Sequence, residues 1–273
     1  MIKNAKLLAV STAVSVLALT ACGGGGGGDG TSDSGVSVNQ PVKMEVDGGI
    51  VNVKGGKATD KKYTKSDNMD ILIVDGKKLQ LDYGFAADAN SVALHDHMVH
   101  HNSTAYARYG LSAINSNYNG TVDDTTDLVF YYQGQATPVS AIPKTGSITY
   151  TSGEQRTEAK NGSNPLAFMN GGAIMLDKDK NKIDADVVLT ANFDKKELTG
   201  TVGHYWMSSS QFAKAKYGNI PIYAKIDGNK FAGTKNNVTT EGKFFGPNAD
   251  TVAGTFQDKG KQLTGSFAAT KDK

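Results

Sequence analysis

The sequence predicts an all-β fold, because short runs of strand-forming residues alternate with turn-forming clusters along most of the chain. The 273 residues include 32 glycines and 6 prolines, and 38% of the residues are hydrophobic. This composition is typical of many short strands joined by turns. In the second half of the chain the spacing of these runs predicts an up-and-down antiparallel β-barrel of about eight strands, which closes without an exposed strand edge.

The clearest hairpin of the predicted barrel is EGKFFGPNADTVAGTF, Glu241–Phe256. Two runs of strand-forming residues, Lys243–Phe245 and Thr251–Phe256, flank a cluster of turn formers at Gly246–Asp250. Glycine supplies backbone freedom, proline a fixed φ angle and asparagine a side chain that bonds to the backbone. The segment therefore predicts two antiparallel strands joined by a loop of about four or five residues.

The first half of the chain also contains strand patterns. Ile71–Val74, the turn Asp75-Gly76 and the alternating Leu79 and Leu81 predict a hairpin with one buried face. A later strand places three apolar side chains on one face, namely Leu128, Phe130 and Tyr132. These segments extend the all-β prediction to the region before the barrel.

The N-terminal residues have the pattern of a secretory signal peptide, assigned to residues 1–21. Lys3 and Lys6 precede an apolar run that is too short to span a bilayer. The run ends in Leu-Thr-Ala-Cys, which resembles the lipobox of bacterial lipoproteins and predicts cleavage before Cys22 and acylation of that cysteine. An ordinary cleavable signal beside a stray cysteine is the alternative. Residues 22–35, with six consecutive glycines, predict a flexible tether.

Charge and cysteine content exclude several classes of function. Without Lys3 and Lys6 the 29 basic residues fall to 27, which equals the 27 acidic residues, so nothing draws the mature chain to nucleic acid. Cys22 is the single cysteine of the sequence, which excludes an intrachain disulfide and a CxxC site. No GxSxG nucleophile motif is present. The sequence contains no positive sign of a catalytic site, and we expect that the protein is not an enzyme.

Three segments resemble transferrin-binding protein B and related translocator-dependent surface lipoproteins, a group with haem-binding (hemophilin-like) and factor H-binding members. They are the hairpin Glu241–Phe256, the segment YYQGQATPVSAIPKTGSITYTSG that runs to Gly153, and YARYG at Tyr106–Gly110. The resemblance implies a β-rich, ligand-binding handle domain at residues 36–142 and a C-terminal eight-stranded antiparallel up-and-down β-barrel at residues 143–273.

The resemblance also implies a location and a set of partners. The protein is expected on the bacterial outer membrane, exposed at the cell surface and held by its lipid anchor alone. It would be exported by an outer-membrane translocator, and it would pass its cargo to an outer-membrane receptor such as a TonB-dependent receptor.

Four of the five histidines lie within seven residues: His95, His97, His100 and His101. Neutral imidazole is a ligand of iron, and haem needs one or two such ligands together with apolar walls. In a family that scavenges iron, we interpret this cluster as a candidate haem-binding site. A solvated loop with incidental histidines is the alternative.

Two further segments have a functional and a structural interpretation. His204–Gly218 contains the single tryptophan and predicts either a docking loop or a short helix, ended by Gly218, that packs on the barrel. Asp177–Asn181 resembles the start of a calcium loop, but the glycine and the bidentate glutamate of such loops are missing, which favours a hairpin turn.

Together these features predict a surface lipoprotein that captures haem, or a host protein that carries haem or iron, for nutrient uptake. Capture of a host complement regulator for immune evasion is one alternative, and adhesion is another. An apolar pocket lined by the histidines would favour haem, whereas an exposed aromatic patch away from them would favour a protein ligand.

Overall fold

The computed structural model describes residues 44–54, 57–81, 92–94, 97–114, 127–152, 171–179, 181–203 and 216–272. Its strands, in chain order, are β1 (Val46–Lys54), β2 (Lys57–Thr59), β3 (Tyr63–Thr64), β4 (Ile71–Val74), β5 (Lys77–Gln80), β6 (Val92–Leu94), β7 (His97–Ser103), β8 (Ala107–Ala113), β9 (Asp127–Gln135), β10 (Ser147–Thr151), β11 (Gly171–Leu176), β12 (Lys182–Asn192), β13 (Glu197–Gly203), β14 (Ile220–Asp227), β15 (Lys230–Lys235), β16 (Val238–Phe245), β17 (Thr251–Asp258) and β18 (Leu263–Lys271). A short 3-10 helix, Val139–Ala141, lies between β9 and β10. Across these ranges, no helix has the length and apolar character needed to cross a membrane.

The strands before residue 136 form two sheets. The six-stranded sheet has the order β2-β1-β9-β8-β7-β6, and the small sheet has the order β3-β4-β5. β1 pairs with β9 along its whole length, from Val46 opposite Gln135 to Lys54 opposite Asp127. β1 and β9 are far apart in the chain, so their pairing brings the beginning and the end of this region together in one sheet.

The strands after residue 146 form a closed antiparallel barrel of eight strands, β11 to β18. Each strand pairs with the next one in sequence, and β18 pairs with β11 to close the ring. β10 pairs with the second half of β12 and with the end of β18. β10 and β11 therefore both lie between β12 and β18 in the barrel wall. The up-and-down barrel predicted from the sequence is confirmed.

The lumen of the barrel is filled with side chains. Alternating residues of each strand point inward and are buried, as the period of a strand requires. The ring of Phe244 packs against three others, with its centroid 5.7 Å from those of Phe193 and Phe231 and 6.1 Å from that of Tyr150. The described part of the lumen is therefore a packed core, as expected for a barrel of this size.

The middle strands of the six-stranded sheet, β8 and β9, are buried on both faces. On β9, Leu128, Phe130 and Tyr132 point toward the barrel, where they join clusters with residues of β11, β16, β17 and β18. Val129 and Tyr131 point the other way and pack on the small sheet. The six-stranded sheet is thus the middle layer between the barrel and the small sheet.

The sequence patterns of these layers are confirmed. Leu72, Val74, Leu79 and Leu81 are buried, as the alternation in that hairpin predicted. β16 and β17 form the predicted hairpin, with Phe245 opposite Thr251 at its end. The domain boundaries at 1–21, 22–35, 36–142 and 143–273 stay predictions, and Cys22 with its tether lies outside the described residues.

Replacement of Phe244 by Ala tests the packed lumen. We expect the free energy of unfolding, measured by urea denaturation, to fall by about 3–5 kcal/mol, because the change removes a ring from a site without solvent exposure. Phe244→Leu fills most of that volume and should cost less than about 1.5 kcal/mol. Val188→Ala is a matched control on the outside of the same barrel, where a change within about 0.5 kcal/mol is expected. Equal losses for Phe244→Ala and Val188→Ala would contradict the packed lumen.

Candidate functional site

Three of the four histidines of the predicted haem site lie on one strand. His97, His100 and His101 belong to β7, where His100 pairs with Leu111 and His101 pairs with Gly110 of β8. β6 ends at Leu94, which pairs with His97. His95 lies outside the described residues. Three of the four residues therefore lie on one strand of the six-stranded sheet, and haem ligation by the four histidines stays a prediction.

The Asp177–Asn181 segment is a hairpin turn between β11 and β12, as the sequence favoured. The Asp177 carboxylate accepts hydrogen bonds from the backbone N–H groups of Asp179 (2.9 Å) and Asn181 (2.8 Å). Lys216 Nζ (3.2 Å) and the Tyr217 hydroxyl also donate to it. Burial alone would raise the pKa of Asp177, but the donors hold it well below its usual range. These protein donors use the carboxylate to fix the turn, which leaves it poorly suited as a calcium ligand.

The end of the His204–Gly218 segment packs on the barrel. Tyr217 is buried in the barrel cluster, and Gly218 has a φ of +58°, the left-handed conformation in which a helix commonly ends. Lys261 Nζ donates to the Tyr217 carbonyl oxygen over 2.6 Å. Residues 204–215, which include the tryptophan, lie outside the described residues, so the docking-loop hypothesis stays a prediction.

An ionic cluster joins the six-stranded sheet to the barrel. Asp47 of β1 forms an ion pair with Lys243 of β16, and both side chains are largely buried, with 13% and 7% exposure. Lys65 Nζ lies 3.1 Å from the same carboxylate, and the Gly48 N–H donates to it over 2.8 Å. Asp47 is thus held by two cations and one backbone donor from three separate parts of the chain.

The cluster fixes the ionisation of Asp47. Burial acts to raise the pKa of this carboxyl group, but the hydrogen bond from Lys243, the backbone N–H of Gly48 and Lys65 together lower it below its ordinary value. Sequence reasoning did not identify Asp47 or Lys243. A lysine at an outward position of a strand ordinarily faces solvent, and nothing near Lys243 in the sequence shows that β1 covers it.

A second set of contacts fixes the segment between β9 and β10 onto the barrel. The Thr137 hydroxyl donates to the Gly246 carbonyl oxygen over 2.7 Å, and the Thr137 N–H donates to that of Phe244 over 2.9 Å. Asn229 Nδ2 donates to the Thr137 carbonyl oxygen over 2.6 Å. The turn at Gly246–Asp250 is therefore both the end of a barrel hairpin and the anchor of the segment that enters the barrel.

This arrangement holds the sheets and the barrel as one compact unit. The ion pair of Asp47 with Lys243 and the hydroxyl group of Thr137 join its parts. The exposed outer wall of the barrel carries charged and hydroxyl side chains on β13 to β16. Chemically, such a scaffold can present a rigid surface to a macromolecule.

The barrel matches a known domain family. Residues 142–271 match the family described as the C-lobe and N-lobe β-barrels of transferrin-binding protein B. No match was found among curated protein sequences.

Two solved structures share the fold. One is a variant of the vaccine antigen transferrin-binding protein B from Haemophilus parasuis, with 17% identity and a TM-score of 0.53, and the similarity covers 83% of this chain and 45% of that one. The other is the intact protein Ap-TbpB with its N and C lobes, with 17% identity, a TM-score of 0.51, and coverage of 83% and 46%. The chain therefore spans less than half of the length of these two proteins.

The pH dependence of stability tests the role of Asp47. Because its pKa is lower in the folded than in the unfolded chain, the ionised carboxylate stabilises the fold above the unfolded value, and this contribution is lost as the pH falls toward the folded value. We expect Asp47→Asn to lower the free energy of unfolding by about 3–5 kcal/mol at pH 7, since Lys243 loses its buried partner. The difference from the unmodified chain should shrink between about pH 5 and pH 2.

Asp227→Asn is the control for that experiment, because Asp227 is an exposed acid on β14. Its urea denaturation curves should follow those of the unmodified chain at every pH. If Asp47→Asn gives a pH dependence parallel to that of the unmodified chain, the buried ion pair does not stabilise the fold.

Proposed function

We propose that this chain is a binding protein that captures an iron-carrying host protein, because residues 142–271 match the family of β-barrel domains of transferrin-binding protein B. The family match is the observation that carries the proposal. The two solved structures that share the fold bear the same name, transferrin-binding protein B, which supports a protein of the transferrin type as the ligand.

The packing of the barrel supports a macromolecular ligand. Side chains fill the described part of the lumen, which therefore differs from the barrels that hold a small molecule in an internal cavity. Binding then depends on the outer wall, on the loops and on the layers packed against the wall. Such surfaces suit a folded protein partner, which buries a broad and shallow area.

The narrower form of the proposal is that the cargo is haem, either free or on a host protein, with His95, His97, His100 and His101 as candidate ligands. The positions of His97 and His101 on β7 support it, because residues four apart on a strand lie on the same face, whereas His100 lies on the opposite face. In this form the protein needs no catalytic group.

We further propose that the chain works at the surface of the bacterial outer membrane. The pattern at Cys22 supports a lipid anchor, and the barrel family is named after a protein that binds a host ligand. Export would require an outer-membrane translocator, and a TonB-dependent receptor would take the cargo. Binding of a complement regulator and adhesion are the competing functions.

A binding assay with host proteins tests the proposed function. The full chain, purified in detergent micelles, is immobilised and exposed to iron-loaded transferrin, iron-free transferrin, lactoferrin, haemoglobin and factor H. We expect saturable binding of a transferrin or of haemoglobin. Saturable binding of factor H alone would replace iron capture with immune evasion, and binding of none of these proteins would contradict capture of an iron carrier.

A haemin titration tests the narrower form. We expect a shift of the Soret band that saturates near about one equivalent of haemin and disappears when the four histidines, His95, His97, His100 and His101, are all replaced by alanine. Replacement of the remaining histidine, His204→Ala, is the matched control and should leave the titration unchanged. A weak, non-saturating change that is equal in all three proteins would exclude haem as the specific ligand.

A further inference from the structure

The register of β7 assigns its histidines to two different faces of the six-stranded sheet. Successive residues of a strand alternate between the faces, so His97 and His101 share one face and His100 lies on the other. Because a strand rises about 3.3 Å per residue, the α carbons of His97 and His101 are about 13 Å apart. The two faces would therefore offer a haem group different ligands.

An uncharged row of residues separates the two histidines of the first face. Val99 stands midway between them on β7, and its lateral neighbours are Val92 of β6 and Ser112 of β8. Neighbouring strands lie about 4.8 Å apart, so the row from Val92 to Ser112 is about 10 Å long. This length is comparable to the width of a porphyrin ring, and the row carries no charge that would oppose an apolar group.

The same face continues into the apolar contact with the small sheet. Val129 of β9 is the next member of the row after Ser112. It is buried in one cluster with Ile114 of the six-stranded sheet and with Leu79 and Leu81 of the small sheet. An apolar border of this kind limits the access of water to a metal bound beside it.

The opposite face, which carries His100, is turned toward the barrel. The partner of His100 on β8 is Leu111, which has no solvent exposure. Leu111 is packed in one cluster with Ile174 and Leu176 of the barrel strand β11. Protein interiors are close-packed, so the contact between sheet and barrel beside His100 leaves little room for a group of the size of haem.

We propose that His97 and His101 bind one haem iron from its two sides, with Val99 at the edge of the porphyrin, and that His100 is not a ligand. Neutral imidazoles are good ligands of iron, and haem iron takes one axial ligand on each side of the porphyrin plane. A strand held in a sheet keeps the two histidines at a fixed separation, so the pair is preorganised. The inference rests on the narrower form of the proposed function and names the ligands of that site.

Variants with single histidine replacements test this assignment. The full chain in detergent micelles is titrated with haemin, and the complex is followed by visible absorbance and electron paramagnetic resonance. For the unmodified chain we expect the low-spin ferric spectrum of two imidazole ligands. His97→Ala and His101→Ala should each give a high-spin spectrum and bind haemin at least about tenfold more weakly. His100→Ala is the matched control on the same strand and should keep both the low-spin spectrum and the Kd.

The outcomes separate the ligand assignment from the proposed function. Equal unfolding temperatures of the three variants without haemin show that each variant is folded. A low-spin spectrum that is lost in His100→Ala, or kept in both His97→Ala and His101→Ala, would overturn the assignment and leave haem as the cargo. An absence of saturable haemin binding in the unmodified chain would overturn the assignment together with the narrower form of the function. Capture of a host iron carrier is measured in a separate assay without added haemin.

Discussion

The structure depends on the burial of one barrel wall against the middle sheet. The outward positions of β17 and β18 carry small residues, Ala253, Ala268, Thr255 and Ser266, which allow the sheet to approach the wall closely. Large aromatic side chains of the sheet, Tyr109 and Tyr132, fill the space that these small residues leave. Exclusion of water from this contact provides the hydrophobic stabilisation that holds the layers together.

Polar groups that are buried between the sheet and the barrel need hydrogen-bond or ion-pair partners. Most of them find such partners within the junction itself. The hydroxyl groups of Ser266 and Thr137 donate hydrogen bonds to backbone carbonyl oxygens that are no longer in contact with water. Asp47 and Lys243 neutralise each other where β1 covers β16. A buried charge without a partner would cost several kcal/mol, by order of magnitude, so such pairs must form together with the apolar contact. The polar groups thus specify how the sheet is placed on the barrel.

The same division of the barrel wall bears on function. Packed side chains cover the inner face of the barrel wall, and the six-stranded sheet covers one part of its outer face. The remaining outer face, along β13 to β16, keeps charged and hydroxyl side chains in contact with solvent. A ligand of this barrel therefore meets a polar, rigid surface, on which specificity comes from a few well-placed charges and rings.

The sequence by itself determined the elements of the fold. Alternation in Ile71–Leu81 showed which side chains of that hairpin are buried, and the turn cluster at Gly246–Asp250 placed a barrel hairpin correctly. These features follow from local backbone preferences and from the period of a strand, which short stretches of sequence contain. Only the tertiary structure decided which outward faces are covered. Lys243 and Glu241 lie two residues apart on one face of β16, yet one is buried beside Asp47 and the other stands at the open edge. That difference arises because β1 covers the barrel wall at Lys243 but not at Glu241. β1 lies nearly two hundred residues earlier in the chain, and a local sequence pattern does not reveal a contact between residues so far apart in sequence.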